Sequence, residues 1–314
     1  MASTDFVHDP VLVSEVVECL RVERDGWILD GTVGRGGHAA RLLDSYDGVR
    51  LIGLDQDAEA LEAAEVVLRP YGDRVLLRRG NFRQAHEILG SLTEKIELVG
   101  VLLDLGVSSH QLDTSARGFS FRRGTPLIMR MGGTTGGWGT AADLLNTESE
   151  EELGQIFREF GEERRWRALA REIVRRRAQR PFRVAEDLVA AYRKVAGAGM
   201  GPADKARIFQ ALRIAVNDEL GALRDGLTAL RDELEPGGRL AVISYHSLED
   251  RIVKHAFREW SRTCTCPPEL PQCRCAGVAL GKTVTRRPIT PGPDEIARNP
   301  RARSAKLRVW ERAG

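Results

Sequence analysis

The sequence predicts an α/β fold: a doubly wound, mostly parallel sheet interrupted by a largely helical insertion. Three observations predict it. Nearly continuous apolar runs end in acids, helix-length segments separate those runs, and the alternation stops in the middle third before returning. Strands apolar on both faces belong to parallel sheets covered by helices on both sides. Right-handed crossovers between them give the doubly wound layer.

The elements follow in order. Trp27–Asp30 (WILD) is the first strand, followed by a glycine-rich turn and the helical AARLLDSY. Val49–Asp55 (VRLIGLD) is the second, followed by the helical AEALEAAEVVL. Arg74–Arg79 and Glu97–Gly106 are the third and fourth. Helical stretches then take over. Ser149 and Glu152 make a capping box, and Trp166, Leu169, Ala170, Ile173 and Val174 recur at helical spacing. ARIFQALRIAVNDELGALRDGLTAL reads as one long amphipathic helix, PGG as a turn and RLAVISYHS as a strand. The helix LEDRIVKHAFREW and a last strand, AKLRVWER, complete the chain. The economical division is one discontinuous domain, 1–109 and 207–314, with a helical insertion over 110–206.

Bulk composition is that of an ordinary globular protein, with 42% hydrophobic and 29% charged residues among 314. A net charge of +2 announces no nucleic-acid partner, although arginines crowd Arg164–Arg183. The N-terminal residues MASTDFVHDP lack a secretory pattern, and no apolar run approaches a membrane span, so a cytoplasmic protein without a membrane partner is expected.

The chemistry begins at DGTVGRGGH, Asp30–His38, which lies between a strand and a helix. Glycines there admit a ligand close to the backbone, but such turns also bind dinucleotides. Asp30 precedes the glycines, where a pyrophosphate is unwelcome and a ligand ammonium group is not. Asp55, ending the second strand, suits a ribose diol. Asp104 ends the fourth. Ligands of open α/β sheets lie beyond the carboxyl ends of the strands, so the three acids should face one crevice. The bland alternative is a structural turn with strand-end or helix-capping acids.

HDPVLVSEVV, DGTVGRGGH, GNF, LLDLGVSSHQLD, RGFSFRR, RIFQALRIAVNDEL, AVISYHSLEDRIVK and NPRARSAKLR together resemble the RsmH (MraW) family over nearly the whole chain. The resemblance implies a class I (Rossmann-like) methyltransferase domain carrying a helical insertion. It implies S-adenosyl-L-methionine as cofactor. The substrate it implies is the N4 amino group of a cytidine in 16S ribosomal RNA near the decoding centre (P site). The partner is then 16S RNA or the small ribosomal subunit, with oligomeric state open, a homodimer included. Cofactor contacts are implied at Gly36, Gly37, His38, Asp55, Phe82, Asp104 and Gln111. Phe82 offers an apolar face to adenine. Two positions depart from the family pattern: Ile128 stands where an acid is usual, and Tyr245 where phenylalanine is favoured.

The cytosine amine is a weak nucleophile because its lone pair is delocalised, and an acceptor for an N4 proton would restore it. Asp104 and the backbone carbonyls that follow it, with Ser108 and Ser109 nearby, are the candidates. His246 is a candidate wall of the substrate pocket, set against a bland reading in which Ser247 and Asp250 cap the next helix. Arg122 and Arg123, flanked by Phe119 and Phe121, combine charge with stacking surfaces for RNA. The arginines of RRWRALAREIVRRRAQRPFR track phosphates or form a solvated helix face. Cys264, Cys266, Cys273 and Cys275 have the number but not the usual spacing of a zinc site, so no metal is assigned. Three other functions compete: a methyltransferase for another substrate, an RNA-binding or ribosome-assembly protein without turnover, and a nicotinamide dehydrogenase.

Overall fold

The computed structural model describes residues 10–107, 114–132, 139–197, 199–264, 266 and 277–314. The chain divides into two compact units, Met1–Gly106 with Ala222–Gly314, and Val107–Gly221.

The first unit holds a seven-stranded sheet. Its strands are β1 (Gly26–Asp30), β2 (Val49–Asp55), β3 (Val75–Arg79), β4 (Leu98–Asp104), β5 (Leu234–Ser244), β6 (Gly281–Thr283) and β7 (Lys306–Arg312). Their order is β3-β2-β1-β4-β5-β7-β6. The first five run parallel, and β7 is antiparallel to both β5 and β6. Helices α1 (Val13–Leu20), α2 (Gly37–Ser45), α3 (Ala58–Leu68) and α4 (Ala85–Gly90) accompany the first half.

The continuous apolar runs are explained by burial on both faces. Trp27, Leu29, Ile52, Leu54, Val101, Leu103, Leu240 and Val242 enter one core. Their neighbours Ile28, Leu51, Leu102, Ala241 and Ile243 enter the other. Successive side chains of a strand point to opposite faces, so each run supplies two cores at once. Because β1 pairs with both β2 and β4, the strand order reverses at β1. The carboxyl ends of β1 and β4 therefore flank the switch point.

The second unit packs α5 (Ala141–Thr147), α6 (Glu150–Glu159), α7 (Trp166–Arg177), α8 (Ala185–Ala196) and α9 (Pro202–Asn217) around their own core. Ser149 and Glu152 form the expected capping box at the start of α6. The return to the α/β unit comes later than residue 207. Ile208, Phe209, Leu212, Ala215 and Val216 of α9 belong to the helical core, so α9 stays with the insertion.

The single long helix expected over this stretch is broken. Asp218 adopts left-handed dihedrals (φ 47, ψ 42) and ends α9, and α10 (Glu219–Glu233) begins anew. An Asn-Asp pair tolerates this region better than most residues. Asn217 fixes the break: its amide donates to the Met129 and Arg213 carbonyls at 2.7 and 2.9 Å, and its oxygen accepts the Met131 N–H at 2.9 Å. Helix α11 (Ser247–Trp260) follows β5, and α12 (Pro293–Arg298) precedes β7. Among the described residues no helix is long and apolar enough to cross a membrane.

Candidate active site

Asp30, Asp55 and Asp104 are the last residues of β1, β2 and β4. The turn after β1 is built on the first two. The Thr32 N–H donates to Asp30 Oδ1 at 3.1 Å, and the Gly34 N–H to Asp55 Oδ2 at 3.0 Å. Asp55 Oδ1 accepts the Asp57 N–H at 2.9 Å. Each Asp55 oxygen thus takes one backbone donor and keeps acceptor capacity for a ligand hydroxyl. Burial pushes the Asp55 carboxyl up, against those backbone hydrogen bonds. Asp30 is only 1% exposed. Burial raises it to about 7, with His38 pulling the other way and Asp104 and Asp55 adding to the rise.

Gly34 (φ 52) and Gly36 (φ 84) lie in the left-handed region, which a glycine takes at least cost. Gly36 caps α2 from that conformation. Gly37 answers to a different need. A Cβ there would stand 2.6 Å from Pro10 Cγ, so packing within the chain alone requires its bare Cα.

His38, in the first turn of α2, is 6% exposed, and its Nε2 makes no hydrogen bond. That nitrogen lies 3.4 Å from Asp104 Oδ2. An unbonded buried ring nitrogen is costly unless a ligand completes it. The Asp104 N–H donates to Thr32 Oγ1 at 2.7 Å. Asp104 Oδ1 accepts the Tyr245 hydroxyl at 2.8 Å. The Asp104 side chain keeps 24% of its surface exposed, so the carboxylate is held yet reachable.

Sequence reasoning missed Thr32 and Tyr245 as members of this group. Asp-Gly-Thr does carry a signal, since an aspartate accepting the N–H two residues on makes an Asx turn. Tyr245 stood out only as a departure from the family pattern, and its partner, 141 positions away, gave no local signal.

The other expected residues sit as follows. Phe82 follows β3 and is 8% exposed, with its ring against Gly226 of α10, where a Cβ would come within 2.4 Å of Phe82 Cδ2. The ring therefore belongs to the first unit's core. Gln111, Ser108 and Ser109 lie outside the described residues. His246, not Ser247, is the N-cap of α11, and its box partner is Glu249, not Asp250. Glu249 Oε2 accepts the Tyr245 and His246 N–H groups at 2.8 and 3.3 Å. Asp250 instead meets Arg308 at 2.7 Å and Lys306 at 3.3 Å on β7, a pairing that local spacing cannot reveal.

In the helical unit, Arg122 and Arg123 are exposed on a turn. Of the phenylalanines beside them, Phe119 is buried in the core and cannot stack on a base. Phe121 is 43% exposed and meets Phe209 edge to face. On α7, Arg175 and Arg176 both grip Glu172, at 2.8 and 2.6 Å. Their hydrogen bonds, Arg175's first, hold that carboxyl down at about 2 against its burial. Arg177 donates to the Leu145 carbonyl at 3.0 Å. These three serve the fold; Arg167 lies over the Trp166 ring and Arg171 faces Glu150 at 3.7 Å, while Arg164 and Arg180 are exposed. Half-buried Ile128 lies in a stretch fixed by main-chain bonds. Leu127 N–H donates to Arg183, Met129 N–H to Arg117, and the Ile128 carbonyl accepts from Ala141. No acid is needed to hold that loop. Of the cysteines, Cys264 is exposed and Cys266 half-buried, while Cys273 and Cys275 lie outside the described residues.

A doubly wound sheet with a glycine turn, acids at three strand ends around the switch point, and an antiparallel β7 defines a Rossmann-like domain of the class I methyltransferase kind. Comparison with known proteins gives the family. The model of the MraW methylase family matches residues 5–313, and the chain belongs to that family. Relatives named ribosomal RNA small subunit methyltransferase H resemble it along their whole length. The one from Heliobacterium mobile is 50% identical over 312 residues, covering 98% of this chain and 99% of its own. That from Gemmatimonas aurantiaca is 50% identical over 316 residues, covering 99% and 96%. That from Syntrophotalea carbinolica is 51% identical over 315 residues, covering 98% of each. Methylases of this fold use S-adenosylmethionine. The donor set here fits it, on the unbonded His38 Nε2 and the spare acceptor capacity of Asp55.

Proposed function

We propose that this chain methylates the N4 amino group of a cytidine in 16S ribosomal RNA, near the decoding centre. The observation that supports it best is the Asp104 carboxylate at the switch point, reachable and held beside the unbonded His38. It occurs in a chain half identical to relatives named for small-subunit RNA methylation.

S-adenosylmethionine, when bound, supplies a methyl group already activated on a sulfonium. Gly36, Gly37 and His38 would hold it at the turn and Asp55 at the ribose, with Gln111 and Asp104 completing the set. What remains for the protein is alignment and the amine's proton. Asp104 accepts a hydrogen bond from the N4 amine through the oxygen that Tyr245 leaves free, raising the nitrogen's nucleophilicity and taking the proton as the new bond forms. A base in folded RNA must leave its stack to reach such a group. Arg122, Arg123, Arg164 and Arg180 meet phosphates, and His246 walls the pocket.

The test is incubation with methyl-labelled S-adenosylmethionine and either 16S RNA or small subunits. Label is expected in N4-methylcytidine after digestion, with none passed to free cytidine. Binding of S-adenosylhomocysteine without transfer to RNA would instead favour an assembly protein, and tighter binding of NAD a dehydrogenase.

A further inference from the structure

We propose that Tyr245 is a positioning residue that fixes which oxygen of Asp104 faces the bound cofactor and the amine. The inference rests on Asp104 being a ligand-facing group, as argued above. A carboxylate at the end of a strand can swap its two oxygens by rotation unless a fixed donor engages one of them. Here the backbone N–H is tied to Thr32, and Oδ1 takes the Tyr245 hydroxyl at 2.8 Å. Oδ2, 3.4 Å from the unbonded His38 Nε2, is left as the open acceptor.

Tyr245 is itself held. Its N–H donates to Glu249 Oε2 at 2.8 Å, and its ring lies against Gly106, where a Cβ would stand 3.4 Å from Cδ2. Burial, then Asp104, Glu249 and Glu295, keep its phenol well above the ordinary range. The hydroxyl is therefore a proton donor at any working pH. A carboxylate with one oxygen occupied by a fixed donor presents the other in one direction, which preorganises the site.

The test is a double-mutant cycle with Tyr245→Phe, Asp104→Ala and the pair, read on S-adenosylhomocysteine affinity by calorimetry and on melting temperature. Tyr245→Phe keeps the ring and is expected to weaken binding about tenfold, as befits one hydrogen bond to a charged group. In the Asp104→Ala background the same change should have no further effect, because the acceptor of the Tyr245 hydroxyl is gone. Equal loss in both backgrounds, or no loss in the first, would overturn the proposal. Unchanged affinity in Asp104→Ala alone would overturn the assignment of Asp104 to the cofactor, and with it this role for Tyr245. Single-turnover methyl transfer by Tyr245→Phe at saturating cofactor is the second readout. A slower rate is expected, and a wild-type rate contradicts positioning toward the amine.

Discussion

At the level of single residues, Asp104 and Asp30 have the same chemistry and opposite circumstances. Asp104 is held by hydrogen bonds and remains accessible; Asp30 lies beneath the turn with one backbone donor. Asp104→Asn keeps the shape and loses the proton acceptor, so single-turnover methyl transfer should fall by about 100-fold or more. A near-normal rate at saturating cofactor would remove its catalytic part. For Asp30 the effect is on stability. Its folded carboxyl keeps its proton to about pH 7, whereas the unfolded one releases it near 3.8. Between those values the folded chain binds the extra proton, so stability falls as pH rises through that window and then levels off. Asp30→Asn removes this penalty. Relative to wild type it should gain at pH 8 by up to about 4 kcal/mol and gain nothing near pH 4. Urea midpoints at several pH values measure it, and a gain independent of pH would contradict the burial argument.

Among the elements, α7 and the residues flanking it separate arginines by their work. Arg175, Arg176 and Arg177 were indistinguishable in sequence from their outward neighbours, because their partners are Glu172 and the Leu145 carbonyl. Charge reversal at Arg164 and Arg180 should weaken RNA binding about tenfold and lower its salt slope by about one per lost phosphate contact. Reversal at Arg176 should cost about 1–3 kcal/mol of stability instead, by leaving Glu172 under-paired. Binding isotherms at several salt concentrations, beside urea titrations, tell the two classes apart. The α9–α10 break makes a similar point. Helical periodicity runs straight through Asp218, and only the bonds from Asn217 to Met129 and Met131 show why the helix stops. Asn217→Ala should lower stability by about 2 kcal/mol, with a lowered urea midpoint as its sign. Strands β1, β2 and β4 were legible because burial on both faces leaves an unbroken apolar run. Short β6 and α12 were not, since their few residues carry no period.

Across the whole molecule, the strand-end acids were legible, because local spacing places Asp30, Asp55 and Asp104 at one end of the sheet. The Tyr245–Asp104 contact and the placing of α9 in the helical unit depend on residues far apart in sequence. Family membership supplies the methylase, and the Tyr245–Asp104 contact is the geometry on which the proposed amine acceptor rests. The most direct check of N4 methylation is mass-spectrometric mapping of 16S RNA from cells with and without this protein. One N4-methylcytidine site near the decoding centre should lose its methyl group in the cells lacking it and regain it when the chain is restored. An unchanged N4-methylcytidine signal in those cells would contradict the proposed activity.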